Sequence, residues 1–304
     1  MRFLFPAAAI AALALPVAPV AADTAVSETM TCPIGGGSFT FTAAASYTAS
    51  GERPDGKPFG SRAFPLPLPE CPDNGLVLYK DYTPEEVAKL EPLVASEAYR
   101  ALRKEDTPYY RAYWLMKAMD LGAERYLWAL LQAGWEAEAR PDLRKRYLAE
   151  LVEASAQVPP RPGDLNWIGM EGRAINALRE LGRFDEALAR LEKVPVAGLE
   201  VEMPAGAAVP QEAIAQARTR RAWHAFFAAI RPAIERHDAS IEPLDLLPRS
   251  VALGRCIEVA AKLDEAGRGF CDKESAAVAE LRASRDKLAR ELEALRQSRE
   301  ASGR

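Results

Sequence analysis

Residues 174 to 188 read Ala174-Ile175-Asn176-Ala177-Leu178-Arg179-Glu180-Leu181-Gly182-Arg183-Phe184-Asp185-Glu186-Ala187-Leu188. Gly182 allows a tight turn between two helical runs, and Phe184, Ala187 and Leu191 recur at three- and four-residue spacing, so they pack between helices. One such pair cannot bury its own face. The helices on either side, about 109 to 157 and 209 to 236, must therefore act as its companions.

Working outward, helical patterning begins at Thr83-Pro84-Glu85-Glu86, where Thr83 caps, Pro84 fits the first helical position and Glu86 closes a capping box. Thr107-Pro108 repeats the signal. Further helices are expected over 109 to 119, 122 to 138, 142 to 157, 165 to 181, 184 to 194, 209 to 236, 249 to 265 and 272 to 299. In the last of these, Val278, Leu281, Arg285, Leu288, Leu292 and Leu295 fall at heptad a and d spacing. They span under three heptads with Arg285 in the seam, so packing back on the body and weak dimerisation both stand open.

The stretch at 174 to 188 resembles the middle of a tetratricopeptide repeat, in which Gly-x-Tyr/Phe-x-x-Ala joins two antiparallel helices. It departs from the pattern at Ile175, where the first helix usually carries glycine. No second unit matches, so the expected architecture from 83 to 248 is an irregular tetratricopeptide-like array. Residues 249 to 304 follow as C-terminal helices.

Residues 23 to 82 differ, being rich in Gly, Pro, Ser and Thr. Phe39 and Phe41 alternate with Thr40 and Thr42, and Leu76-Val77-Leu78-Tyr79 is a second strand-like run. Gly51-Glu52-Arg53-Pro54-Asp55-Gly56-Lys57-Pro58 is turn chemistry, and the alternating prolines of Phe64 to Pro69 exclude helix.

Two pieces of this module have the outline of CPxCG zinc knuckles: Cys32-Pro33-Ile34-Gly35-Gly36 and Cys71-Pro72-Asp73-Asn74-Gly75. Each has lost its second thiolate, to Gly35 and to Asn74. The layout resembles an uncharacterised bacterial family in which two CPxCG, zinc-ribbon-like knuckles precede tetratricopeptide-like helical repeats. That resemblance implies a degenerate ribbon. Because a ribbon sets its knuckles side by side, it also implies that Cys32 and Cys71 form a disulfide in place of the metal. A residual site of Cys32, Cys71 and an Asp73 or Asn74 oxygen falls short of the four ligands a structural zinc takes. No metal or cofactor is expected.

The first residues, an apolar run from Phe3 to Leu15 after Arg2 and a Val20-x-Ala22 cleavage pattern, read as a signal peptide over 1 to 22. The product is then periplasmic or secreted, without an integral membrane segment, and its four cysteines meet oxidising conditions. Cys256 and Cys271 form the second expected pair. If the helix from 249 ran to Ala266, they would lie about 15 Å apart, so the bond needs an earlier helix end or a loop that folds back.

Composition narrows the role. The 304 residues are 49% hydrophobic, with 39 Lys and Arg against 43 Asp and Glu, leaving no basic surplus for nucleic acid. His224 and His237 are thirteen positions apart on different helical faces, and no HExxH, GxSxG or Walker loop occurs, which leans against an enzyme. Tyr110, Trp114, Trp128 and Trp135, rimmed by Arg111 and Arg125, are the candidate groove; the alternative is that these rings fill a helix-pair core. The fold class expected is mainly α, with a small loop-rich β module at the N-terminus and a long C-terminal helix. An exported adaptor binding a protein or peptide is the expected function, and a cell-envelope glycan-binding protein or hydrolase the alternative.

Overall fold

The computed structural model describes residues 25 to 204, 206, and 209 to 302. The expected signal peptide lies outside them. Strands β1 (Ala25–Thr31) and β2 (Ser38–Ala44) pair antiparallel, with Ala25 opposite Ala44 and Thr31 opposite Ser38. A shorter hairpin joins β3 (Ala49–Glu52) and β4 (Pro58–Gly60). Helices follow: α1 (Pro84–Val94), α2 (Glu97–Glu105), α3 (Pro108–Ala118), α4 (Ala123–Glu136), α5 (Pro141–Ala156), α6 (Leu165–Glu180), α7 (Phe184–Leu191), α8 (Gln211–Glu235), α9 (Arg249–Glu258), α10 (Glu265–Lys273) and α11 (Ser275–Ala301). The protein is mainly α with a small β module at its N-terminal end.

Local signals act where they stand in the chain. The Thr83 side chain accepts from the Glu86 amide while Glu86 accepts from the Thr83 amide, a complete capping box. The Thr107 side chain caps α3 by accepting from the Tyr110 amide, while the Thr107 amide donates to the Tyr147 hydroxyl. Gly182, at φ +74°, turns the chain from α6 into α7.

The two Cys-Pro turns share one hydrogen-bond pattern. Cys32 donates to the Gly37 carbonyl and Gly36 back to Cys32, and Cys71 with Leu76 and Gly75 repeats the pattern. Asn74 ties its own turn together and links it to the other through hydrogen bonds. Its oxygen accepts from the Leu76 amide at 2.9 Å, and its amide donates across to the Ile34 carbonyl of the other knuckle at 3.0 Å. Cys32 and Cys71 are disulfide-bonded, with Cα atoms 5.6 Å apart. Both sulfurs are consumed, so the residual metal arrangement has no ligand set.

Two expectations need correction. Leu76 to Tyr79 forms no strand, only a single bridge from Val77 to Glu70. The facing stretch holds Pro65, Pro67 and Pro69, which have no N–H to extend a ladder. The helix expected over 249 to 265 ends at Glu258. A short 3-10 turn follows, and Asp264 caps α10 by accepting from the Gly267 amide at 2.7 Å. That early end is what brings Cys256 and Cys271 together as a disulfide, with Cα atoms 5.6 Å apart.

Three apolar cores form among the described residues. The largest lies among α3 to α8. A second joins the disulfide of Cys32 and Cys71 to Leu90, Tyr99 and Leu115, so the β module and α1 to α3 share one interior. The third gathers Leu244, Leu247, Ala252 and Cys256, with Val278 of α11 against them. Beyond Arg285, which donates to Glu258 at 3.0 Å, α11 leaves that core, and Leu288, Leu292 and Leu295 are 50 to 58% exposed. The proximal part of α11 packs back and the distal part does not. Among the described residues no helix is long and apolar enough to cross a membrane.

Candidate functional site

The six residues expected to form a groove are distributed rather than gathered. Tyr110, Arg111 and Trp135 are buried. Tyr110 stacks on Tyr147 with ring centres 4.4 Å apart, and its hydroxyl joins that of Tyr113 in donating to Glu150, at 2.7 and 2.6 Å. Burial, then the Glu150 carboxylate, push both phenols well above their ordinary value, so they remain protonated donors. Arg111 clamps the second knuckle to α3 through Glu70 and the Gly75 carbonyl. Trp114 is half-buried against Tyr99, Trp128 is half-buried on α4, and Arg125 is exposed. Tyr110 and Trp135 lie in the main apolar core, and each of the three buried residues has a polar partner far along the chain.

Trp135 shows where those partners come from. Its indole N–H donates to the Asp55 carbonyl at 3.2 Å, because the tip of the β3–β4 hairpin is driven into the helical array. Arg53, Pro54, Asp55 and Gly56 are all buried there. Gly56 has φ +85°, and a Cβ on it would lie 2.7 Å from the Arg173 guanidinium, so both conformation and space require glycine. Asp55 takes a bidentate pair from Arg53 at 2.7 and 3.1 Å and a third contact from Arg144 at 3.1 Å. Burial works against its charge, but Arg53 and Arg144 outweigh that and hold the carboxyl below its ordinary range. Arg144 also meets Glu180 at 2.6 Å. Burial, together with the nearby Asp55 charge, lifts the Glu180 carboxyl above 4.5 although Arg144 pulls it back. Arg173 donates to the Pro54 carbonyl and to Glu52, and Glu138 receives both Arg53 and Lys57.

A second concavity is open. Helices α5, α6 and α7 enclose a groove of about 640 Å³ floored by Val152, Val158, Trp167, Leu178 and Ala189. Its polar parts are arranged as pairs. Arg190 spans both oxygens of Glu171 at 2.7 Å and reaches the Ser155 hydroxyl at 3.0 Å, and Arg183 pairs with Glu186. Glu153 and Lys193 stand exposed at its edge.

Trp167, on the first turn of α6, is not among the aromatics that sequence spacing singles out. Its signal is present all the same, since it lies one turn into the helix that leads to the Gly182 repeat-like turn. Compared with known protein families, curated proteins and solved structures, the chain matches none, so the reading of the site rests on its own residues.

Proposed function

We propose that this chain is an exported protein, periplasmic or secreted, that binds a protein or peptide partner in the α5–α7 groove. The observation that carries the reading is that groove itself: an open, apolar floor of Trp167, Val152, Val158 and Leu178 with fixed ion pairs at its rim. The repeat-like turn at Gly182 adds support by analogy, because paired-helix arrays present concave faces to peptides. Two disulfides fit an oxidising compartment. The exposed Leu288, Leu292 and Leu295 stripe supports a weak self-association through α11 as a secondary property.

The test is site-specific photo-crosslinking in cells, with the photoreactive residue at Lys193 on the groove edge and, as control, at exposed Arg125 on α4. A discrete crosslinked species at Lys193, absent at Arg125 and lost when Ala189→Glu is added, is the expected result. Equal capture at both positions, or none at Lys193, overturns it.

A further inference from the structure

The stripe along α11 is half covered and half bare. From Val278 through Arg285 to Leu288, Leu292, Leu295 and Arg299, steps of three and four residues keep these side chains on one face of the helix. The proximal half is covered by the chain itself. Val278 packs against the core of Leu247, Ala252 and Cys256. Arg285 donates to Glu258 at the end of α9 and lies against Gly254, where a Cβ would come within 3.1 Å of its guanidinium. The distal half has no such cover. Of the five large apolar side chains exposed among the described residues, three are Leu288, Leu292 and Leu295, and the other two, Val26 and Tyr47, belong to the N-terminal module.

A second copy of the same helix fits the bare half in only one direction. Two parallel helices lie side by side along their whole length, so residues 275 to 285 of the second copy would need the space that α9 fills. Two antiparallel helices meet by their free ends alone. The bare stripe runs from Leu288 to Arg299, and a two-fold axis midway between Leu292 and Leu295 lays it upon itself. Leu292 of each copy then packs on Leu295 of the other, and Leu288 lies under the aliphatic stem of Arg299. The Arg299 head comes within one turn of Glu291 of the second copy, whose own pair with Lys287 is exposed and long at 3.9 Å. Sliding the copies together by one heptad sets Glu291 against Glu291 and drives each C-terminal end under α9. Sliding them apart by as much leaves Leu288 uncovered.

We infer that distal α11 joins two copies of this chain as an antiparallel, end-overlapping pair across Leu288, Leu292, Leu295 and Arg299, with the two bodies at opposite ends of the helix pair. The inference rests on the self-association proposed for α11 and adds its direction and register.

The test uses the full oxidised chain. All four cysteines are bonded, so an added cysteine takes a spin label at one place only. Labels go singly at two exposed positions, Ala294 beside the axis and Ala276 at the base of α11. At 1.5 Å per residue, the antiparallel pair should set the two Ala276 labels about 50 Å apart and keep the two Ala294 labels within about 20 Å. Sedimentation velocity then reads two variants of Leu288. Leu288→Glu meets Arg299 of the second copy and should hold the affinity within about threefold, whereas Leu288→Arg should weaken it about tenfold. In a parallel pair both changes would set like charges face to face. The direction is overturned if the Ala276 labels lie as close as the Ala294 labels, or if Leu288→Glu weakens association as much as Leu288→Arg; the self-association then still stands. Association that survives Leu292→Glu runs through another surface and overturns the inference. A chain that stays monomeric at millimolar concentration removes self-association and the inference together. If that monomer binds phosphatidylglycerol vesicles through the same leucines, the stripe belongs to a membrane surface instead.

Discussion

Two faces of one helix meet opposite fates. Along α6, Arg173 bonds directly to the inserted hairpin tip and Glu180 reaches it through Arg144, where the chain's own Arg53-Pro54-Asp55-Gly56 fills the space. Trp167, Glu171 and Leu178, on another side of the same helix, border the groove that the chain leaves open. The filled face is dominated by buried charge pairs, whereas the open face has an apolar floor with ion pairs around it. A buried ionic cluster stabilises only when every charge is answered, so the tip must stay in place. An apolar groove makes no such demand, which leaves it free for an outside ligand.

Removing Asp55 should break that contrast most sharply. Asp55→Ala leaves Arg53 and Arg144 buried beside each other, and a loss of about 3–5 kcal/mol in urea unfolding is expected. A loss under about 1 kcal/mol would show that the tip is a loose ornament. Next come the staples. The Cys32–Cys71 bond closes a sequence separation of 39 residues and the Cys256–Cys271 bond one of 15. The chain-entropy relation gives about 4 kcal/mol for the first and about 3 kcal/mol for the second. Double Ser variants, compared pairwise by denaturant midpoint, should keep that order.

Glu180 sharpens the comparison through pH. Its carboxyl titrates higher in the folded chain than the ordinary 4.5, so as pH falls the native state takes up a proton before the unfolded chain does. The wild type should therefore gain stability relative to Glu180→Gln as pH is lowered from 7 toward 5, and lose it again as pH rises. An unchanged difference across that range would remove the raised titration. Smaller still is the effect on the open side. Ala189→Glu should change stability by no more than about 0.5 kcal/mol while abolishing partner capture at Lys193. Leu292→Glu should be equally mild for stability, and in sedimentation velocity at high concentration it should abolish any self-association of the wild type.

Several features were legible because their causes are local. A Thr-Pro-Glu-Glu start needs only its own four residues to cap α1, and Gly182 needs only its missing Cβ to turn the chain. The fate of the aromatic cluster was not legible. Trp135 is buried by a carbonyl eighty positions away, and Arg111 by a carboxylate forty-one positions away. Periodicity could place these side chains on a helix face but could not say what that face would meet. The break after Glu258 is hidden for a related reason: the 249 to 265 run is apolar enough to continue, and Asp264 acts as a cap only once the helix has stopped.

The sequence by itself determined the helical character, the main turns and caps and the contrast of the N-terminal module, because backbone propensity and capping are settled within a few residues. Only the tertiary structure decided that the hairpin tip fills one side of α6 and leaves the other open. That choice depends on which distant charges and carbonyls can be brought together without leaving one buried and alone, and such a balance exists only once the helices have assembled.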